Sequence, residues 1–232
     1  MNRRKALKLG MALGVGTGAL KLGTKPASAH VVPERWLDTD FGNNAIPSVQ
    51  WFIDRKNEGY HGFLTTAHTF WGGVPQTWSG TQECLDKALT AGLKVGAYGR
   101  PVECWSAALD NCGSYIDNLD FFQLDVEHEE DGLPHPVTVA MVNGVQARGV
   151  RPLIYTSSGM WADIMGSSTA FRWWGLWERI AYAGWPAYME NVVPTNPGFG
   201  GWTKRFGAQI HYDVPSPAGG SILIDNNVCR SS

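Results

Sequence analysis

The stretch Asp120–Asp131 reads DFFQLDVEHEED, an apolar run that ends in carboxylates. Phe121, Phe122 and Leu124 suit a buried strand. Alternate side chains of a strand share a face, so Asp125 and Glu127 point one way and Val126 the other. Burying two carboxylates at the end of an apolar strand costs free energy that a solvated site avoids. Acids paired in this way suit general acid–base work, as in glycoside cleavage. The competing reading is a solvated acidic loop that starts at Asp125 and has Glu129 and Glu130 as further exposed members.

Outward from this strand, the chain alternates strand and helix signals. Residues 34–41 read as a strand, and 47–59 as a helix opened by Pro47 and closed by Gly59. A strand region at 59–70 precedes a helix at 80–92, with Leu85, Ala88 and Leu89 on one face. A third strand over 94–101 stops at Pro101. Apolar residues from Trp105 to Leu119 recur at spacings of three and four, which predicts a third helix. The Asp120–Glu129 strand follows. Next come a helix at 136–149, a strand at 150–158 and a short helix at 158–166. Beyond these, 172–184, 204–214 and 221–228 read as three strands joined by Gly/Pro-rich loops. Five βα units and three strands predict a single-domain α/β fold, a TIM-like (β/α)5(β)3 barrel over residues 30–232. An open doubly wound sheet is the competing architecture, but no Gly-rich phosphate turn follows the first strand.

In such a barrel, functional residues gather at the C-terminal ends of strands. Asp38 (or Asp40) ends the first, Asp125 and Glu127 the fourth, and Asp225 lies on the eighth, which closes onto the first. Four acids from distant parts of the chain thus converge on one mouth.

Residues 1–29 read as a signal peptide, not as part of the fold. Arg3, Arg4, Lys5 and Lys8 precede a Gly-rich apolar run too short to span a membrane, and Ala27-Ser28-Ala29 is a small-x-small cleavage site. Arg3-Arg4 suggests a twin-arginine signal. This segment holds six of the 19 basic residues and none of the 21 acids, so the mature chain is acidic, which argues against nucleic acid. A secreted monomer with no membrane contact in its mature form is expected. His30, the mature N-terminus, and His61, His68, His128, His135 and His211 show no ligand spacing, and no Cys/His cluster is present; neither metal nor cofactor is expected. Cys84, Cys104, Cys112 and Cys229 leave three full disulfide connectivities open, although Cys104 and Cys112 on one helix lie about 12 Å apart, too far to bridge.

Several motifs, in order, resemble the glycoside hydrolase family 25 lysozymes of the Chalaropsis type. They are Trp36-Leu37-Asp38, Gly92-Leu93-Lys94-Val95-Gly96-Ala97-Tyr98, Leu124-Asp125-Val126-Glu127, Pro152-Leu153-Ile154-Tyr155-Thr156 and Ile224-Asp225-Asn226-Asn227. The resemblance implies a barrel of five βα units plus three strands. It also implies hydrolysis of the β-1,4 bond between N-acetylmuramic acid and N-acetylglucosamine in bacterial peptidoglycan. Asp38 and Asp225 carry over as supporting cleft residues. Three segments depart from the family pattern: Thr65–Thr69 stands for Lys-Ala-Thr-Glu-Gly, Gly99-Arg100 for His-Phe, and Leu176–Ala181 for Leu-Trp-x-Ala. The chain also resembles twin-arginine-exported barrels of glycoside-hydrolase type, which leaves glycan binding without hydrolysis as the alternative.

The acid pair needs different protonation states, and proximity supplies them. Glu127, with the longer side chain, reads as the proton donor. Asp125 is the second carboxylate: nucleophile, electrostatic stabiliser, or orienter of the substrate's N-acetyl group. Tyr98, Tyr155 and Trp177 are candidates for substrate binding, with Trp71 and Trp202 also near the mouth. The export reading is tested by changing Arg3 and Arg4 together to Lys: export should stop while the purified domain stays folded, and undiminished export would leave an ordinary secretory signal.

Overall fold

A computed structural model describes residues 33–39, 46–180, 196–215 and 222–230. The signal segment, His30, Asp40 and the end of the predicted sixth strand lie outside the described residues. Strand β1 (Pro33–Asp38) leads to α1 (Val49–Asn57), and β2 (Gly62–Trp71) turns back through β3 (Val74–Thr77). Then come α2 (Thr81–Thr90), β4 (Lys94–Gly99), α3 (Trp105–Asn111), β5 (Leu119–Asp125), α4 (Val139–Ala147), β6 (Pro152–Thr156) and α5 (Ser158–Met165). Three strands finish the chain: β7 (Gly175–Arg179), β8 (Gly207–Pro215) and β9 (Leu223–Arg230). Serine and threonine caps start three of the helices: Ser48 accepts from Trp51 N, Thr138 from Met141 N and Ser157 from Met160 N.

Eight strands close in the order β1-β9-β8-β7-β6-β5-β4-β2, with β1 also paired to β2. The (β/α)5(β)3 expectation holds, with two refinements. β3 is an extra hairpin arm antiparallel to β2; its residues Val74–Thr77 are all exposed, so no buried alternation announces it. β9 runs antiparallel to both β1 and β8, so the barrel is mixed. The third predicted helix is also shorter than its apolar spacing suggests. α3 ends before Gly113, whose φ of 58° breaks the helix, and a 3₁₀ segment carries the chain to β5.

Side-chain parity divides the core. Outward residues such as Leu37, Phe63, Val95, Phe122, Leu124 and Ile154 join the helices in the main apolar cluster. Inward residues Trp36, Leu64, Phe121, Leu153 and Trp177 fill the barrel lumen. Trp36 and Phe121 rings lie 4.8 Å apart and Phe121 and Trp177 rings 5.2 Å, so aromatics plug the barrel below its mouth. Their bulk requires neighbours without side chains. A Cβ at Gly207 would lie 2.4 Å from the Trp177 ring, closer than atoms pack. Gly207→Ala should therefore lower unfolding stability by about 1–3 kcal/mol through overpacking, measured by urea denaturation. An unchanged midpoint would mean that the lumen is looser than described.

Candidate active site

The parity that buries Trp36, Phe121 and Trp177 carries polar side chains into the mouth one step further along each strand. Asp38 follows Trp36, Arg179 follows Trp177, and Gln123 then Asp125 follow Phe121. Together with Tyr98, Arg100, Glu127, Tyr155, Gln209 and Asp225 they line a cleft of about 270 Å³. Phe70 and the half-exposed Trp71 from the end of β2, with Glu130 opposite, complete its wall.

All four acids read from the sequence meet here. Asp225 does so without sitting at the C-terminal end of its strand: it lies near the start of antiparallel β9, in register with Asp38 at the end of β1. Asp38 accepts from Asn227 Nδ2 at 2.9 Å. Burial holds its carboxyl well above the usual range, and the Asp225 charge adds to this. Asp225 accepts from Gln209 Nε2 at 2.6 Å, and Gln209 Oε1 accepts from Tyr155 Oη at 2.6 Å. Tyr98 Oη accepts from Thr66 Oγ1. Both tyrosines line the cleft as read from the sequence.

Trp177 does not line it. Its side chain is fully buried in the lumen, one inward step below Arg179, and Nε1 donates to Asn227 Oδ1 at 2.9 Å. Since Asn227 in turn donates to Asp38, Trp177 supports the cleft floor from beneath. Trp202 is likewise buried, against Trp161 on the helical side. Of the three tryptophans placed near the mouth from sequence, Trp71 alone lines the cleft.

The acid pair sits among arginines. Glu127 Oε1 lies 3.1 Å from Arg179 Nη1, and Oε2 lies 3.7 Å from Arg100 Nη1. Arg100 also holds Glu129, with Nε and Nη2 each 3.1 Å from Oε2. Asp125 is 6% exposed, and its Oδ1 is buried without a hydrogen-bond partner. Burial holds the Asp125 carboxyl well above the usual range; the Glu127 charge pushes it further and Arg100 opposes. Gln123 Nε2, one inward step below, is also buried and unpaired. Unpaired buried polar atoms lining a cleft mark a place for a polar ligand.

The solvated-loop reading divides at this point. The Glu129 side chain is wholly buried in its ion pair, whereas exposed Glu130 accepts from Gly73 N at 2.9 Å, from the turn before β3. His135 bridges Glu103 (2.6 Å) and Asp131 (3.1 Å) and ties down the far end of the loop. Arg100, Arg179, Gln209 and Asn227 were missed from sequence. The signal was available, since Arg100 is two residues beyond Tyr98 and Arg179 two beyond Trp177.

All four cysteines are free, and burial pushes the Cys84 and Cys112 thiols up to about 12, so they are poor nucleophiles and poor metal ligands. Among the described residues, no group of three or more His, Cys, Asp or Glu is placed to hold a metal ion. No described helix is long and apolar enough to cross a membrane.

No family model matches the chain, and no curated protein matches it in sequence. Solved structures do match. The bacterial lysozyme from Streptomyces coelicolor aligns with a TM-score of 0.57 at 18% identity, over 86% of this chain and 93% of that one. The spore cortex lytic enzyme SleM of Clostridium perfringens aligns with 0.59 at 17%, over 90% and 70%. The modular autolysin LytC from Streptococcus pneumoniae aligns with 0.53 at 12%, over 84% and 46%. The architecture is thus the α/β barrel of bacterial lysozymes. The barrel read from the sequence is thus shared, at the level of fold, with these solved structures.

The two neighbouring glutamates provide a test of this geometry. Glu129→Gln should destabilise by about 1–3 kcal/mol, because a charge-assisted bond to a partly buried arginine is lost. Glu130→Gln should stay within about 0.5 kcal/mol of wild type. Chemical denaturation of both variants checks this, and equal midpoints would return Glu129 to the solvated loop.

Proposed function

We propose that this chain is a secreted muramidase that hydrolyses the β-1,4 bond between N-acetylmuramic acid and N-acetylglucosamine of bacterial peptidoglycan. The supporting observation is the meeting of Asp38, Asp125, Glu127 and Asp225 in one cleft whose wall includes Trp71 and Tyr98. Glycoside cleavage needs a proton for the leaving oxygen and a negative group beside the developing oxocarbenium ion, and Asp125 with Glu127 form that pair. Flat aromatic rings suit the faces of sugars, and the acids and amides around Asp38 suit their hydroxyl and acetamido groups. The barrel's likeness to a lysozyme, a spore cortex lytic enzyme and an autolysin supports the substrate class.

A second reading has one observation in its favour. Glu127, the expected proton donor, is occupied by two guanidinium groups. A barrel so arranged would bind wall glycan without cutting it. Incubation of the purified protein with peptidoglycan, followed by assay of reducing ends, separates the two readings. The muramidase reading predicts new reducing ends, and a loss of at least about 10²–10⁴-fold on Asp125→Asn or Glu127→Gln. Glycan pulled down intact by an unaltered wild type would establish the binding barrel.

A further inference from the structure

A second cavity opens at the other end of the barrel. Its volume is about 260 Å³, against about 270 Å³ for the cleft. Residues 172–175, which lead into β7, and 202–206, which lead into β8, form its walls, with Arg230 at the end of antiparallel β9. Arg179 in the cleft is four residues further along β7 than Gly175 here, a rise of about 13 Å, so the two sites are separate. The walls are tied to one another. Trp202 Nε1 donates to Trp174 O at 3.0 Å, Phe206 N to Leu176 O at 2.8 Å and Arg230 N to Phe206 O at 3.0 Å. A ligand would meet a cavity already shaped, with little ordering left to do.

Its lining is basic in an acidic chain. With the six basic residues of the first 29 set aside, 13 of the 19 Lys and Arg remain, against 21 Asp and Glu. Four of those 13, Arg172, Lys204, Arg205 and Arg230, line this one cavity, and no described acid does. Buried Glu178 pairs with Arg205 from behind. Glu34 and Asp120, acids at the same end of the barrel, face Lys94. Arg172, Lys204 and Arg230 form no ion pair among the described residues, so the cavity holds uncompensated positive charge. Beside that charge stands Trp173, 79% exposed. The Arg172 guanidinium covers one face of its ring, 4.7 Å from the centroid, and Arg172 Nη1 donates to Thr169 O at 3.3 Å. Trp174 and Phe206 continue the aromatic surface. A lone exposed tryptophan needs no explanation, but one set at a shaped cavity with three uncompensated cations does.

We propose that this cavity is a second binding site, for a glycan that carries carboxylate or phosphate groups. The open indole offers a flat surface to a sugar ring, and guanidinium forks match carboxylate and phosphate oxygens. The volume, close to that of the cleft, suits a unit of similar size. A dense polyanion such as nucleic acid would be repelled by the acidic remainder of the chain, which favours a ligand with sparser charge. An acidic peptide would satisfy the cations and leave the aromatic surface without a flat partner. The cavity and its charge stand apart from the muramidase reading; only the choice of a sugar over another flat anion rests on it. With glycan sites at opposite ends of one barrel, a strand held at the base keeps the mouth close to its neighbours by raising their effective concentration.

Titration calorimetry on the purified full chain tests the site without turnover. Four short probes separate its parts: trigalacturonate (a carboxylate on each sugar), a mannose oligomer bearing a 6-phosphate, neutral mannotriose and triglutamate. One or both charged sugars should bind, which tells carboxylate from phosphate recognition, and binding should weaken as salt rises from about 0.05 to 0.5 M. Trp173→Ala, and Arg172→Ala combined with Lys204→Ala, should each raise Kd at least about tenfold. Trp173→Phe and Lys204→Arg should keep most of the affinity. These side chains are exposed, so melting temperatures should stay at the wild-type value. Release of reducing ends from soluble wall fragments should be unchanged in all of them. If wild type cleaves no wall preparation, the muramidase reading fails, and the calorimetry still decides this site. Absence of binding by either charged sugar would overturn the proposal, as would equal binding by Trp173→Ala or mannotriose bound as tightly as the charged sugars. Triglutamate bound as tightly as they are would overturn it in favour of a protein-docking site.

Discussion

Closure of the barrel at β1 is the constraint on which the rest depends. β1 pairs in parallel with β2 on one side and antiparallel with β9 on the other, and this second pairing sets Asp38 opposite Asp225. Once that register is fixed, the period of two decides what every strand sends inward. A slip of one residue would move Trp36, Phe121 and Trp177 towards the helices and the acids with them. The aromatic plug and the acidic mouth are thus successive layers of one alternation, and packing the first holds the second in place.

The mouth works against the fold that holds it. Asp38 and Asp125 are buried in conditions that penalise their charged forms, and Asp125 and Gln123 carry polar atoms with no protein partner. Compensation comes from a layer beneath and beside them. Trp177 holds Asn227, which holds Asp38; Tyr155 holds Gln209, which holds Asp225; Arg100 and Arg179 hold Glu127. Uncompensated polarity that persists in an otherwise close-packed barrel is the usual mark of a working site.

Much of this was legible in the chain itself. Strand and helix periods gave the barrel and all five helices, because buried strands and amphipathic helices leave opposite signatures. The four acids were found because carboxylates at the ends of apolar strands have no cheap structural use. What failed has physical causes. β3 is exposed on all four residues and so lacks a pattern. Strand direction leaves no trace in side-chain alternation, so nothing in the chain marked β9 as antiparallel. Trp177 was placed in the cleft on its residue type, although it sits one inward step below Arg179. The arginines were passed over because cations near an acid run look like solvated charge until parity is counted from Tyr98 and Trp177.

The most direct measurement is a structure of Asp125→Asn bound to a peptidoglycan fragment that spans the scissile bond. The account predicts the glycosidic oxygen within about 3 Å of the acid pair of residues 125 and 127, and a sugar ring against Trp71 or Tyr98. A fragment bound away from this mouth, or bound here with its scissile oxygen out of reach of both acids, would contradict it.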